Sequence, residues 1–464
     1  MKGTGGEALA GVPRLLLIGL ARVNASDSSG NGLLMRGLLT GWPRQELAQI
    51  YSSGDNGDAG IARYEFKLGA DERVCGRLFI RGKREVERLE PGTADICPGG
   101  RAPGMLRKQI AHMGRRYLGE TGLYELLFPV RASRALREWI DRFRPDVILA
   151  QGYSLGAVRL ALLMKEYSGA RLACFWSDDW PVSTYAGSRG EPRFARRLMQ
   201  SIIIRDTARL VAKVDLPFAF GRLMAGEYER RYDRPFIVIN HSDDPLRFRT
   251  SRAARNHSDD VVSLLVAGNI DRFRAPSILD LNASCRLLEE GGVGARVCLM
   301  ASAIAPEVER GIREAEYVDI FQAPGHADLP GHLKGADILV MTEPFDEEVA
   351  DAYRLSISSK AHLFMFSERP IIVYAPAATG LARYATEAGW AEVVSERDPA
   401  RLAAAIKALL AAPQRQDVLI QRAWRVGEAN HDAAANRALF VDGLTGERPA
   451  PTVSARACGQ GETS

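Results

Sequence analysis

The sequence predicts an α/β protein made of two doubly wound parallel-sheet domains of similar size. Two observations predict this fold. Short apolar runs alternate with longer helical patterns along most of the chain, and one polar stretch, at 251–260, interrupts the alternation. Alternating strands and helices are typical of parallel sheets covered by helices on both faces. A chain of 464 residues is long enough for two or three domains with separate cores.

The individual elements follow from the same alternation. Short apolar runs predict buried strands, at 14–21, 146–151, 171–176, 236–240, 261–267, 295–300, 317–321, 337–342, 370–374 and 391–394. Longer patterns with helical spacing predict helices after most of these strands, including 155–167, 278–290, 359–366, 381–388 and 399–411.

The polar stretch at 251–260 is interpreted as a linker, and it divides the chain into domains. The N-terminal domain is then 13–250 and the C-terminal domain 261–445, with a last helix that we allow to return to the N-terminal domain. Gly, Pro, Ser and Thr are abundant in 1–12 and 446–464, which predicts disordered tails.

Composition excludes several classes of protein. Apolar residues make up 46% of the chain and charged residues 25%, as in ordinary globular proteins. The six cysteines are scattered, with no C-x-x-C pair, so neither a disulfide framework nor a zinc site is expected. The N-terminus lacks the apolar core of a signal peptide, and the run 15–21 is too short to span a membrane. We therefore expect a cytoplasmic protein.

Two loops of the N-terminal domain carry candidate binding residues. The first predicted strand leads into a polar loop that ends in Gly30, Asn31 and Gly32, and glycines let backbone amides approach a ligand closely. This loop is neither G-x-G-x-x-G nor a P-loop, so it does not predict a nicotinamide or Walker site. Asp178 and Asp179 follow another strand, at the position where doubly wound folds place ligands, and their carboxylates can accept hydrogen bonds from a ligand.

In the C-terminal domain, cations follow two predicted strands. Gly268 ends a strand, and Arg272 and Arg274 come shortly after it; an arginine presents a planar fork to phosphate oxygens. Ser359 and Lys360 open a predicted helix, where amides and an ammonium favour an anion. The pattern predicts a diphosphate site.

Several segments resemble GT-B glycosyltransferases similar to family four. The segment 357–374 resembles their P-S-K-x-x-E-Y-x-x-x-G-R-P-I motif near the donor sugar, and 174–185 resembles H-F-M-D-D-W-P-x-x-x-Y. The segment 216–240 resembles the last helix and strand of their N-terminal domain. The segment 321–337 resembles the region that recognises the nucleobase, and it contains Gly325 and His326.

The resemblance implies a GT-B fold in which two Rossmann-like domains face each other across a cleft. It implies transfer of a sugar from a nucleotide-diphosphate sugar to a glycan or lipid-linked acceptor, with retained anomeric configuration and no cofactor. Arg274 and Lys360 would bind the diphosphate, Asp178 or Asp179 would orient the acceptor hydroxyl, and Trp180 would stack on a sugar. Adjacent aspartates are not the spaced D-x-D that binds Mn²⁺ in other glycosyltransferases, so no metal is expected.

One departure from the family concerns the carboxylates of its E-x7-E motif. The position that binds the nucleotide ribose is Leu363 here, and the earlier glutamate position is Leu355. The resemblance therefore leaves the donor's identity open. It also leaves open a catalytically inactive nucleotide- or glycan-binding protein.

A second alternative is an α/β-hydrolase. Residues 152–156 match G-x-S-x-G between a predicted strand and a predicted helix, which is the setting of a nucleophile elbow with Ser154. His431 is available as a late histidine. Nothing resembles an oxyanion loop, and a second Rossmann-like domain would be left without a role.

The charge distribution suggests a partner. Residues 101–256 carry 28 Lys and Arg against 16 Asp and Glu. Basic residues among apolar ones, at 105–116 and 193–209, are typical of a surface that rests on an anionic membrane. We expect a peripheral position on the inner membrane face and no nucleic-acid partner.

Overall fold

The computed structural model describes residues 9, 11–19, 21–24, 30–53, 60–74, 123–184, 193–254 and 261–446. The predicted tails, residues 255–260 of the predicted linker, and the basic stretch 105–116 lie outside these residues, apart from a few positions of the N-terminal tail and residue 446. The chain divides into two compact units: unit 1 is Met1–Ile239 with Leu439–Ser464, and unit 2 is Asn240–Ala438.

Unit 1 contains a parallel sheet of seven strands in the order β3-β2-β1-β4-β5-β6-β7. The strands are β1 Leu15–Ile18, β2 Leu47–Tyr51, β3 Tyr64–Lys67, β4 Val147–Ala150, β5 Arg171–Cys174, β6 Leu216–Phe220 and β7 Ile237–Ile239. β1 and β4, at the centre, are buried along their whole length, as expected for strands covered on both faces.

Helices connect these strands. They are α1 Gly30–Leu38, α2 Leu123–Leu127, α3 Arg134–Phe143, α4 Leu155–Ser168, α5 Trp180–Ser183, α6 Arg193–Lys213 and α7 Gly221–Tyr232. Local sequence sets several of their ends: the Ser133 side chain caps α3, and α4 ends at Gly169, which has a φ of +71° that suits glycine. A short 3₁₀ turn precedes β2 at Arg44–Glu46, and another follows β3 at Ala70–Glu72.

Unit 2 contains a parallel sheet of six strands in the order β10-β9-β8-β11-β12-β13. The strands are β8 Val262–Ala267, β9 Ala295–Ala301, β10 Val318–Gln322, β11 Ile338–Thr342, β12 Ile371–Tyr374 and β13 Glu392–Val394. The helices are α8 Pro245–Thr250, α9 Ala275–Glu290, α10 Pro306–Arg313, α11 Leu329–Lys334, α12 Glu347–Ala350, α13 Ala361–Met365, α14 Gly380–Ala388, α15 Pro399–Leu410, α16 Pro413–His431 and α17 Ala433–Thr445, with a 3₁₀ turn at Asp351–Tyr353.

Each sheet has one point where the strand order reverses. β1 pairs with both β2 and β4, and β8 pairs with both β9 and β11, so the chain leaves each central strand on one side and later returns on the other. Doubly wound folds bind ligands outside the carboxyl ends of the strands at such a switch point. The loops after β1, β4, β8 and β11 are therefore the places to look for a site.

The structure confirms the predicted α/β fold with two doubly wound sheets, and all ten predicted strands are present. Three further strands, β2, β3 and β6, were not predicted. β6 contains Pro217, which weakens a strand pattern, and only Phe66 of β3 is fully buried.

The border between the units lies ahead of the predicted linker. α8, which precedes the predicted linker, packs against α11 of unit 2. Within the linker, the Ala254 amide donates to the Gly331 carbonyl at 2.9 Å, so the first residues of the linker are attached to unit 2 as well. At the other end of the chain, Phe440 in α17 packs on Phe218 of β6 with ring centroids 5.4 Å apart. The end of α17 is therefore part of unit 1.

Candidate functional site

A pocket opens at the switch point of unit 2, between the loops that follow β8 and β11 and the segment that leads into α13. Polar side chains line it from the loop after β8, from the end of β11 and from the segment before α13, above a floor formed by the ends of the two strands. The lining residues are Val266, Ala267, Gly268, Asn269, Ile270, Arg274, Val340, Met341, Thr342, Ser358, Lys360 and Phe364. Sequence reasoning identified Gly268, Arg274 and Lys360, and the structure brings these three together.

Lys360 lies directly against Gly268. Gly268 has a φ of +135°, and a Cβ atom built on it would lie 3.0 Å from both Cε and Nζ of Lys360. Such a distance is tighter than ordinary packing allows, and a φ in this range is rarely adopted by other residues. The glycine therefore provides both the turn after β8 and the space that the ammonium occupies.

Arg274 is fixed on several sides. Its Nη2 lies 3.2 Å from Oε2 of Glu343, which is only 2% exposed and directly follows β11. Its Cζ lies 5.8 Å from the ring centroid of Tyr353. Asp271 Oδ1 accepts from the Arg274 amide at 2.9 Å, which fixes the backbone. The Arg274 Nε is buried and has no hydrogen-bond partner among the described residues.

These charges affect one another. Burial, followed by the charge of Arg274, lowers the pKa of Lys360, and the carboxylate of Glu343 opposes that shift. An anion in the pocket would relieve the repulsion between Lys360 and Arg274, since it would be attracted to both.

The other residues predicted for this site lie elsewhere. The Arg272 guanidinium stacks on the ring of Phe273, with Cζ 4.4 Å from the centroid, and does not line the pocket. Ser358 lines the pocket, whereas Ser359 does not. α13 is only five residues long, and Lys360 directly precedes it. The positive charge of this segment therefore comes mainly from the Lys360 side chain.

Gly325 and His326 form the turn before α11. The Gly325 carbonyl accepts from the amide of Leu329 at 3.1 Å. Arg247 donates to the His326 carbonyl at 2.6 Å and to Nε2 of the same histidine at 2.8 Å, and it also bonds Asp243. The Arg247 contacts fix His326 at the surface of unit 2.

Three stacked imidazoles lie behind Lys360. The ring of His362 lies 6.1 Å from that of His241 and 6.0 Å from that of His431, and all three residues are buried. Burial lowers the pKa of His241 to about 3 and that of His431 to about 4, and it lowers the pKa of His362 well below the usual range. Sequence reasoning did not find this stack, because its members are far apart in the chain.

At the switch point of unit 1, an amide pair joins the two central loops. Gln151 Nε2 donates to Asn31 Oδ1 at 2.9 Å, and Asn31 Nδ2 donates back to Gln151 Oε1 at 3.4 Å. Gly30 and Gly32 belong to the first turn of α1, and residues 25–29 of the same loop lie outside the described residues.

The two predicted aspartates after β5 have different surroundings. Asp179 is 5% exposed and forms a bidentate ion pair with Arg231, at 2.8 and 2.9 Å. The Tyr228 hydroxyl also donates to Asp179 at 3.1 Å. Asp178 is exposed, and Trp180, at the start of α5, is partly exposed. Asp179 is thus part of a buried network, whereas Asp178 is accessible.

This network joins two segments that the sequence treated separately. Asp179 belongs to the D-D-W-P segment, and Tyr228 and Arg231 belong to α7, which we interpreted as a domain end. Beside it, the Tyr153 hydroxyl bonds Ser177 at 2.6 Å, and burial together with the charge of Asp178 raises the pKa of Tyr153. Both interactions fix the backbone around Asp178.

The hydrolase alternative does not agree with the structure. Ser154 is the N-cap of α4 and accepts from the Ala157 amide at 3.0 Å, which is a structural role. The candidate base His431 has both ring nitrogens occupied: Nδ1 lies 2.7 Å from the His241 carbonyl and Nε2 lies 3.1 Å from the Tyr384 hydroxyl. A catalytic base for Ser154 would need one of these nitrogens.

Within the described ranges, no group of three or more His, Cys, Asp or Glu is arranged to hold a metal ion. No helix in the described part of the chain is long and apolar enough to cross a membrane.

Comparison with known proteins agrees with this architecture. Residues 95–215 match the model of the glycosyl transferase 4-like domain. No curated protein matches the sequence.

Solved structures with the same fold are distant in sequence. Sucrose-phosphate synthase from Thermosynechococcus elongatus is 14% identical, with a TM-score of 0.56 over 91% of this chain and 96% of that one. HepE from Anabaena, in complex with UDP-glucose, is 10% identical, with a TM-score of 0.56 over 93% of this chain and 99% of that one. WaaG, a glycosyltransferase involved in lipopolysaccharide biosynthesis, is 12% identical, with a TM-score of 0.52 over 93% of this chain and all of that one. At these identities the similarity shows the fold. Together with the domain match, it shows that this chain is a glycosyltransferase of the GT-B fold with a glycosyl transferase 4-like domain.

Proposed function

We propose that this glycosyltransferase moves a sugar from a nucleoside-diphosphate sugar, bound by unit 2, to a glycan or lipid-linked acceptor, bound by unit 1. The pocket that holds Lys360 against Gly268 and beside Arg274 is the observation that carries the proposal. Two cations in a partly buried pocket suit the diphosphate group, whose negative charge increases as it leaves the sugar.

The nucleoside of the donor is proposed to be uridine. HepE, which shares this fold, was solved with UDP, with UDP and glucose, and with UDP-glucose. The two motif positions that carry carboxylates in the resembling family, Leu355 and Leu363, are buried leucines here. The ribose must therefore be bound by other groups, and the backbone around Gly325 and His326 is our candidate for the nucleobase.

In the reaction, the bond from the anomeric carbon to the diphosphate oxygen breaks, and the acceptor hydroxyl oxygen bonds to that carbon. Lys360 and Arg274 stabilise the charge on the leaving diphosphate, which can also take up the acceptor's proton. Asp178 is exposed and orients the acceptor hydroxyl, and Trp180 stacks on a sugar ring. We propose that anomeric configuration is retained and that no metal takes part.

Kinetics of single variants test the donor site. Replacing Lys360 or Arg274 with Ala should reduce turnover of the donor by about 100-fold or more, as for loss of one preorganised charge. Lys407 and Arg286 are exposed cations on other helices of unit 2, and their Ala variants are matched controls. Wild-type turnover in the Lys360 and Arg274 variants would show that the diphosphate binds elsewhere. Binding of UDP-sugars in a thermal-shift screen without any turnover would indicate the catalytically inactive alternative.

A cytoplasmic enzyme that rests on an anionic membrane is the second part of the proposal, and α6 supports it. Phe194 is 78% exposed, and Leu198 and Ile204 are also exposed on the same side of the helix. Arg197 and Arg209 lie on the same side, although Arg209 also pairs with Asp206. An aromatic and aliphatic stripe among arginines is typical of helices that lie in a membrane interface.

Sedimentation with vesicles tests this surface. We expect the protein to bind vesicles that contain phosphatidylglycerol and not vesicles of phosphatidylcholine alone, and we expect the double variant Phe194→Ser/Leu198→Ser to lose this binding. Leu279→Ser/Leu287→Ser on α9 is a matched control, because these leucines are also exposed. Equal binding to both kinds of vesicle, or none at low salt, would contradict a membrane-bound position.

A further inference from the structure

Glu343 is a buried carboxylate beside the donor pocket, and it belongs to none of the motifs that resemble the glycosyltransferase family. We propose that Glu343 is a positioning residue of the donor site, which holds the Arg274 guanidinium in place and allows two cations to share one pocket. This inference rests on the proposed donor site and assigns a role to a residue that the resemblance does not cover.

Glu343 connects the loop after β11, to which it belongs, with the loop after β8. Glu343 directly follows β11, and its amide donates to the Tyr374 carbonyl at 3.2 Å, which continues the sheet by one residue. Its side chain reaches Arg274, in the loop after β8, at 3.2 Å. At 2% exposure the carboxylate has very little contact with water, so its charge is balanced by protein groups.

Arg274 needs a carboxylate partner because a second cation, Lys360, lines the same pocket. Its guanidinium and the Lys360 ammonium are both cationic, and the charge of Arg274 lowers the pKa of Lys360. The Glu343 carboxylate raises the pKa of Lys360, so it favours the charged form of the ammonium. Burial, with the charges of His431 and Lys360, lowers the pKa of His241 to about 3, so this neighbouring histidine is neutral near pH 7 and adds no positive charge beside Lys360.

Two consequences follow for the variant Glu343→Gln. The amide keeps the shape of the side chain but removes the charge, so Arg274 loses its ion pair and Lys360 loses the carboxylate that favours its protonation. Lys360 should therefore be neutral more often and more nucleophilic at a given pH. Glu343→Asp retains the charge and should retain most of both effects.

Labelling of Lys360 measures this consequence without any need for activity. The rate at which acetic anhydride modifies Lys360, followed by peptide mass spectrometry between pH 6 and 10, reports the ammonium's titration. We expect the Glu343→Gln protein to be labelled at Lys360 several-fold faster than wild type near pH 8, and Glu343→Asp to resemble wild type. Asp319→Asn, which removes a carboxylate paired with Arg296 on the far edge of the sheet, is the matched control.

Kinetics and a stability measurement complete the test. The Glu343→Gln variant should show a kcat/KM for the donor about tenfold or more below wild type. In its pH profile, the fall of kcat/KM on the alkaline side should begin at a lower pH. Glu343→Asp should restore most of the wild-type kcat/KM. Unchanged Lys360 labelling in a Glu343→Gln protein that melts within a few degrees of wild type would overturn the inference. If Glu343→Gln does not fold, the double variant Glu343→Gln/Arg274→Gln, which removes both members of the ion pair, is compared with Arg274→Gln. Faster labelling of Lys360 in the double variant would support the effect of the carboxylate, and equal labelling would overturn the inference.

Protection by UDP separates this inference from the proposed function. UDP should slow the labelling of Lys360 in wild type, because its diphosphate would cover the ammonium. Faster labelling in Glu343→Gln without any protection by UDP or UDP-glucose would leave Glu343 as the positioning residue of the cation pair and refute the donor site. Protection by UDP with unchanged labelling in Glu343→Gln would support the donor site and refute the positioning role of Glu343.

Discussion

The stack of three histidines in unit 2 should make the protein unstable in mild acid. His241, His362 and His431 are buried, and burial lowers the pKa of each. In the unfolded chain each has an ordinary pKa near 6.5 and binds a proton as the pH falls. The unfolded state then binds more protons than the folded state, so stability is present above about pH 6.5 and is lost as the pH falls towards the folded-state values.

The magnitude follows from the unfolded chain, where the three histidines titrate independently. Between pH 7 and pH 5, protonation of each unfolded histidine costs about 2 kcal/mol of stability, or about 6 kcal/mol for three. A typical protein has a total stability of only about 5–15 kcal/mol. The folded chain has little capacity to respond, since burial lowers the pKa of His431 to about 4 even though its hydrogen bond to the His241 carbonyl acts in the opposite direction.

The perturbation that isolates this effect is His362→Phe. Phenylalanine fills the same space in the stack and does not titrate, and the Nδ1 of His362 has no hydrogen-bond partner among the described residues that would be lost. We expect the variant to lose about 4 kcal/mol between pH 7 and pH 5, where wild type loses about 6 kcal/mol. Urea denaturation at both pH values, followed by the fluorescence of tryptophan, measures the difference.

A matched control removes a histidine that is not buried in the stack. His326 is about half exposed, so His326→Phe should change the pH dependence much less. Equal losses of stability in wild type and in His362→Phe would refute the reasoning, because they would show that the stacked imidazoles are protonated in the folded state as readily as in the unfolded chain.

Three other predictions concern the donor pocket, the two aspartates after β5 and metal dependence. Gly268→Ala should reduce donor turnover by about tenfold or more, because the added Cβ displaces Lys360. Gly292→Ala is the control for backbone strain alone, since Gly292 has a φ of +79° and open space around it. Similar losses of turnover in both variants would contradict the displacement of Lys360. Asp179→Asn should destabilise unit 1 by about 2–3 kcal/mol in denaturation curves, since it removes the bidentate partner of Arg231 and leaves the ion pair with Glu227. Asp178→Asn should lower turnover at unchanged stability, and the opposite pattern would reverse the roles of the two aspartates. Turnover should persist in excess EDTA, and its complete loss with recovery on adding Mn²⁺ or Mg²⁺ would contradict the metal-independent reaction.

Sequence patterns predicted the sheets well because buried parallel strands are short and nearly all apolar. They were also able to place Gly268, Arg274 and Lys360 near one another, since loops after neighbouring parallel strands meet at one edge of the sheet. β6 was not predicted because Pro217 weakens its strand pattern. The border between the units was not predicted because a polar stretch shows where a chain is solvated and does not show which unit the chain packs on.

The partners of these residues depended on the topology and could not be predicted. Asp179 and Arg231 are 52 positions apart, and Arg274 and Glu343 are 69 apart. A buried ion pair of this kind has no sequence period, and either carboxylate could equally have been an exposed cap or a catalytic group. The one available signal was position: Glu343 directly follows a buried strand at the switch point, which is the same argument that identified Arg274.

The two switch points are built in the same way but differ in charge. In each unit, a side chain that follows the central strand bonds a side chain that follows the neighbouring strand on the other side: Asn31 with Gln151 in unit 1, and Arg274 with Glu343 in unit 2. The amide pair offers donors and acceptors without net charge, which suits the hydroxyls of a sugar acceptor. The ion pair, with Lys360 beside it, leaves a net positive charge that suits a diphosphate. This difference supports the proposed division of labour, because exchanging the two ligands would place an anion among neutral amides and an uncharged ligand beside the cations of unit 2.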